Sequence, residues 1–84
     1  MKITFKLYAN LSDYLPDTAS NTSAVELEVK EGTTVDDLIA QFHLPVKMCH
    51  LVLIDGVFVP REARPGRALC AGETLAIWPP VAGG

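Results

Sequence analysis

Gly32-Thr33-Thr34-Val35-Asp36-Asp37-Leu38-Ile39-Ala40-Gln41-Phe42-His43-Leu44-Pro45 is the stretch that decides the fold. Val35, Leu38, Ile39 and Phe42 fall at i, i+3, i+4 and i+7, which draws one apolar stripe along a helix of about two to three turns. Thr33 or Thr34 can cap its start, because a hydroxyl there accepts a bond from an orphan amide. Thr34 with Asp37 approximates a capping box, with Asp in the place usual for Glu. Asp36 and Asp37 sit at the positive end of the helix dipole, and His43 lies where the carboxyl end tolerates a cation. Leu44-Pro45 ends the segment, since the residue before proline is pushed out of helical geometry.

On either side of this helix the period changes from 3.6 to 2. Ile3, Phe5 and Leu7 alternate with Lys2, Thr4 and Lys6, and Val25, Leu27 and Val29 alternate around Glu26 and Glu28, so each run reads as a strand with one wet face. The residues between them can hold a helical turn packing Leu11, Tyr14 and Leu15 before Pro16, followed by a surface loop from Asp17 to Ser23. Downstream, His50 to Ile54 is a continuous apolar run that reads as a central strand. Asp55-Gly56 then makes a hairpin turn into a short edge strand, Val57-Phe58-Val59-Pro60. Arg61 to Gly72 is rich in turns, and Thr74 to Trp78 is a last strand stopped by Pro79-Pro80. The order strand, strand, helix, strand, short strand, strand gives an α+β chain: a small mixed sheet of four to five strands covered by one main helix. That is the β-grasp arrangement of ubiquitin-like proteins.

Composition narrows the function. The chain has 84 residues, 49% hydrophobic and 20% charged, with a net charge of −3. A second folded domain would leave neither half an adequate interior, so residues 1–84 are expected to form a single β-grasp domain with a flexible tail from about 79 to 84. The negative balance supplies no basic stripe for phosphates, which argues against nucleic acid and anionic membranes as partners. Lysines interrupt the amino-terminal strand before any signal-peptide core could form, and no stretch is long and apolar enough to span a bilayer. Two cysteines without zinc-ligand spacing point to a reducing cytoplasm and to no metal site.

Conventional catalysis finds no constellation. Cys49 and His50 are neighbours in a predicted strand and point to opposite faces, so they cannot pair as thiolate and imidazole. Cys70 lies in a glycine-flanked turn, as a small half-buried residue. Asp36-Asp37 are explained by the helix start and Glu26 with Glu28 by a wet strand face. Arg61, Arg64 and Arg67 form a small basic cluster in an acidic protein, which could meet an acidic groove on a partner, although such a cluster is more often merely solvated. Leu51 and Leu53 alternate with Val52 and Ile54, which makes that strand apolar on both faces. Either a partner or the loop from Asn10 to Ser23 covers the outer one.

The carboxyl end differs. No charged side chain follows Glu73, and the chain ends Ala82-Gly83-Gly84. Read alone, a Gly-Gly ending is as readily an unstructured terminus or a cloning remnant. Here Leu75, Ile77, Trp78 and Val81 flank two prolines that hold the exit segment extended. Two glycines let a terminal carboxylate pass a channel too narrow for a Cβ. Along the last strand Leu75 and Ile77 should face inward and Trp78 outward.

The ending Ala71-Gly72-Glu73-Thr74-Leu75-Ala76-Ile77-Trp78-Pro79-Pro80-Val81-Ala82-Gly83-Gly84 resembles the carboxyl end of the MoaD/ThiS family of ubiquitin-like sulfur carriers. Phe5-Lys6-Leu7-Tyr8-Ala9-Asn10-Leu11 and Gly32-Thr33-Thr34-Val35-Asp36-Asp37-Leu38 also fit, so the likeness covers essentially the whole chain, while the ending is its specific part. Glu73 stands where Asp is usual and Trp78 where Phe is common. The resemblance implies that Gly84 carries the chemistry and Gly83 its access. A ubiquitin-activating-type enzyme uses ATP to adenylate the Gly84 carboxylate, and a sulfur donor converts it to a thiocarboxylate. A larger synthase subunit or another acceptor enzyme then takes the sulfur. In this reading Trp78, Pro79, Pro80 and Val81 dock the root of the tail, with an exposed aromatic as anchor, and no cofactor is bound permanently. The protein acts as a cosubstrate or small subunit without a catalytic pocket of its own. Pro-Pro-Val-Ala-Gly-Gly and the chain length favour the molybdopterin synthase branch over the shorter thiamine carriers. Other sulfur pathways, a ubiquitin-like modifier joined through Gly84, and a β-grasp interaction module without tail chemistry are the alternatives.

Overall fold

A computed structural model describes residues 1–15 and 24–80. Its strands are β1 (Lys2–Leu7), β2 (Ala24–Glu28), β3 (Leu51–Ile54), β4 (Val57–Phe58) and β5 (Thr74–Trp78), and α1 spans Val35–Gln41. They form one five-stranded sheet in the order β2-β1-β5-β3-β4. β1 and β5 run parallel, with Phe5 opposite Leu75 and Leu7 opposite Ile77. The β1–β2, β3–β5 and β3–β4 pairs are antiparallel. This is the mixed sheet with one main helix expected of a β-grasp fold.

The period-two residues build the inner face. Ile3, Phe5 and Leu7, Leu75 and Ile77, and Val52 and Ile54 are all buried, and Val35, Leu38 and Ile39 of α1 close over them. Half-buried Phe42 completes the helical stripe by setting its ring against Phe5, with centroids 5.0 Å apart. The helix is about two turns long, starting at a full capping box. Thr34 Oγ1 accepts from the Asp37 N–H, and Asp37 Oδ2 accepts from the Thr34 N–H. It stops at Phe42, beyond which His43 takes a left-handed φ of 58°. The helix start is also tied to the later loop. The Val35 N–H donates to the Arg67 carbonyl at 3.2 Å, and the Leu69 N–H donates to the Thr33 carbonyl at 2.8 Å.

Asp55-Gly56 makes the tight turn between β3 and β4, with φ of 49° and 82° at its two residues. Two positive φ values in succession match the twist of the flanking strands, and glycine takes the second without penalty. Asp55 reaches further: its Oδ1 accepts the Thr74 N–H at 2.8 Å and pins the start of β5 to the turn.

Several expectations are corrected. β5, not β3, lies in the middle of the sheet, because β1 pairs with it across the length of the chain. Val29 lies past the end of β2, although its N–H still donates to the Met1 carbonyl at 2.8 Å. Val59 is outside β4 and buried, while Val57 and Phe58 are 68% and 55% exposed. The helical turn after β1 is a 3-10 helix, Ala9–Tyr14. Leu11 is buried and Leu15 packs against the core, but Tyr14 is exposed. Cys49 ends a second 3-10 helix, Val46–Met48, rather than opening a strand. The loop expected from Asp17 to Ser23 lies outside the described residues.

Candidate functional site

The site grows from the alternation of β5. Leu75 and Ile77 are drawn inward, so Trp78 must project from the opposite face of the sheet. Cross-strand register then assembles its surroundings. Leu51 lies opposite Trp78, Leu53 opposite Ala76, and Phe58 opposite Leu53. Directly opposed residues share a face, so these side chains form an apolar row on the outer side of the sheet. Tyr8 adds to it by stacking on Trp78, with centroids 4.0 Å apart and planes within 2°. Leu51, Leu53 and Trp78 are half-buried and Phe58 is exposed. Trp78 is therefore a half-buried, braced platform rather than the exposed aromatic expected, since one of its faces is occupied by Tyr8. Contact of this kind is worth about 0.5–1.5 kcal/mol beyond the buried area.

The chain leaves the sheet from a fixed point. The Ile77 carbonyl accepts from the Tyr8 N–H at 3.1 Å, and the Trp78 carbonyl accepts from the His50 N–H at 3.0 Å. The β1 side thus holds β5 as far as Ile77, and the β3 side holds it through its last residue, Trp78. Pro79 has no N–H to continue the ladder. Pro79 is buried and Pro80 is exposed. Val81, Gly83 and Gly84 lie outside the described residues.

The arginines are not a solvated cluster. Arg61 is exposed, but Arg67 donates to Glu73 Oε2 at 2.7 Å and Arg64 is only 4% exposed. A polar turn sequence carries no period that would have revealed this. Glu73 uses both carboxylate oxygens, since Oε1 accepts the Cys70 N–H at 2.7 Å. Its greater reach compared with Asp suits it to bracing this turn. The Arg67 hydrogen bond, helped by the Cys70 amide, holds the Glu73 carboxyl below the ordinary carboxylate range despite partial burial.

A lowered native pKa stabilises the fold above the pH where Glu73 ionises in the unfolded chain, and this stabilisation disappears as pH falls through the native value. Glu73→Gln should therefore lower Tm at pH 7 by roughly 5 °C, corresponding to about 1 kcal/mol. Thermal melts of both proteins should converge at acid pH.

Cys49 is not placed for nucleophilic chemistry. Burial raises the pKa of the Cys49 thiol, against the opposing pull of Arg64, and its Sγ donates to the Pro45 carbonyl at 3.5 Å. Cys70 is exposed rather than half-buried. Neither buried Cys49 nor exposed His50 lies in β3, which starts at Leu51, so the strand alternation expected of the pair does not hold. No group of three or more His, Cys, Asp or Glu residues is placed to hold a metal among the described residues. Nor is any helix among them long and apolar enough to cross a membrane.

Comparison with known proteins adds what the fold alone lacks. The model of the ThiS family matches residues 10–84. No curated protein matches the chain. Among solved structures, SAMP1 from Haloferax volcanii is 26% identical, with all of both chains covered and a TM-score of 0.66. The Haloferax volcanii HVO 2177 protein is 21% identical over 100% of this chain and 87% of its own, with a TM-score of 0.75. A Pyrococcus furiosus protein given the provisional name molybdopterin converting factor, subunit 1, is 20% identical over 95% of this chain and 98% of its own, at a TM-score of 0.61. The latter two are likenesses of fold.

Proposed function

The chain belongs to the ThiS family, and on that premise we propose that it is a sulfur carrier acting through the carboxylate of Gly84. The observation that carries the reading is that the family match extends through residue 84 and so includes Gly83-Gly84. Support comes from the root, where the β3 side holds β5 as far as Trp78 and Pro79, lacking an N–H, cannot continue the ladder.

A carboxylate resists nucleophilic attack. An ATP-dependent activating enzyme joins a Gly84 carboxylate oxygen to the α-phosphorus of ATP and releases pyrophosphate. Attack by the outer sulfur of a donor persulfide on the resulting acyl adenylate expels AMP and forms an acyl disulfide, and a second donor thiol then cleaves its S–S bond, forming a donor disulfide and releasing the terminal thiocarboxylate. That group is ionised at neutral pH and strongly nucleophilic. It delivers sulfur to a substrate held by a larger acceptor subunit, and hydrolysis restores the carboxylate. Gly83 gives access because it has no side chain. The apolar row around Trp78, together with Pro80 and Val81, supplies the docking surface, with the aromatic as its anchor and buried Pro79 fixing the root behind it. ATP is used by the activating enzyme, and this chain needs no permanently bound cofactor. Free Cys49 and Cys70 suit a reducing cytoplasm. Molybdopterin synthesis is the leading pathway, from the Pro-Pro-Val-Ala-Gly-Gly ending.

Similarity to SAMP1 favours a second reading, since a related structure carries the name small archaeal modifier protein 1. In that case Gly84 is joined to lysines of target proteins. Intact-mass measurement after expression with the native activating enzyme separates the two. A single oxygen-to-sulfur exchange at Gly84 is the expected result. Isopeptide adducts in its place support the modifier, and a tail left unmodified with enzyme, ATP and sulfur donor present overturns the carrier reading.

A further inference from the structure

Arg64 is the buried charged residue among the described residues, at 4% exposure. Its Nη2 donates to the His50 carbonyl at 3.5 Å, and its buried Nε has no hydrogen-bond partner. The ion pairs among the described residues are Met1 with Glu28 and Arg67 with Glu73, so Arg64 has no carboxylate within bridging distance there. A guanidinium withdrawn from water without a counter-charge is costly, and its planar fork matches a carboxylate.

Arg64 lines a cleft with Lys47, His50, Arg61, Val46 and Phe58. Three of the chain's seven Lys and Arg residues meet there, although the whole chain carries −3. No acidic side chain lines this cleft, whereas Asp36 lines the adjoining one that Arg64 also borders. Phe58 belongs both to the cleft and to the apolar row through Leu53 and Trp78.

We propose that Lys47, His50, Arg61 and Arg64 form a carboxylate-binding pocket that receives an Asp or Glu side chain of a partner protein docked on the adjoining apolar sheet face. One buried guanidinium balances one negative charge, which fits a carboxylate better than a phosphoryl dianion, because Lys47, His50 and Arg61 remain exposed. Val46 and Phe58 suit the methylene groups that lead to the carboxylate. The pocket does not require sulfur chemistry at Gly84.

Nitrogen-15 NMR of the full chain at fixed ionic strength provides the test. An acetylated, amidated leucyl-glutamate dipeptide should shift the Arg64 Nε–H resonance and the Leu53 and Phe58 amides saturably. Its leucyl-glutamine counterpart should bind at least about tenfold more weakly, and inorganic phosphate more weakly than the glutamate probe. Lys47→Ala with Arg61→Ala changes two exposed side chains and leaves Arg64 in place, and should weaken glutamate-probe binding about threefold. The absence of a saturable shift at Arg64, equal binding of the two dipeptides, tighter binding of phosphate, or a double variant as tight as the parent overturns the proposal.

Discussion

Deletion of Gly83 and Gly84 is expected to abolish sulfur loading completely while leaving the fold intact. On the proposed chemistry the reacting carboxylate must enter an enzyme site that admits only backbone. The truncated chain would present Ala82, whose methyl group obstructs that passage and whose carboxylate falls two residues short. Stability should hardly respond, because the core of the described residues ends at Ile77 and β5 at Trp78. Intact mass should therefore show no oxygen-to-sulfur exchange with activating enzyme, ATP and donor present. The melting temperature should stay within about 2 °C of the parent, a change of less than half a kcal/mol. A fall much beyond that would mean the ending contributes to the fold, contrary to an insertable arm.

The second large effect is on stability. Phe5→Ala should cost about 3–5 kcal/mol, because Phe5 is fully buried, lies opposite Leu75 in the register and meets the ring of Phe42. A domain of this length has a total stability of roughly 4–13 kcal/mol at the usual per-residue scale. The substitution therefore consumes much or all of it. Phe58→Ala removes a ring of the same size from an exposed position and should change stability by less than about 0.5 kcal/mol. Urea titrations of the two variants provide the comparison, and similar midpoints would contradict the assigned inner and outer faces.

Local chemistry made much of this architecture legible from residues alone. The alternation of Ile3, Phe5 and Leu7, the Thr34–Asp37 cap, the Asp55-Gly56 turn and the strand Thr74–Trp78 each depend on neighbours close in sequence, and each forms as its pattern predicts. What escaped depends on distant residues. Placing β5 in the middle requires its parallel pairing with β1, and no spacing encodes that pairing. The same register brings Tyr8 onto Trp78, so an aromatic read as an exposed anchor is instead half-buried and braced. Arg64 was hidden in a turn whose composition looks like ordinary surface, and the short 3-10 segments Val46–Met48 and Arg61–Ala63 hold too few residues to show a period. The proposed reacting end rests on the resemblance, since Gly83 and Gly84 have no side chains through which to announce a chemistry.

The middle position of β5 also sets the order in which the sheet can assemble. Before β5 docks, β1 with β2 and β3 with β4 are two separate pairs that share no ladder, and the edges that will receive it stand open. Phe5 and Leu75 must meet across nearly the whole chain. Closing so large a loop before it is rewarded makes collapse slow and cooperative, governed by non-local contacts rather than by hairpin formation. During that interval the open edges can pair with other chains. The strand that bears the proposed docking surface is thus also the keystone of folding, and a substitution that weakens its inner face should slow refolding and promote aggregation.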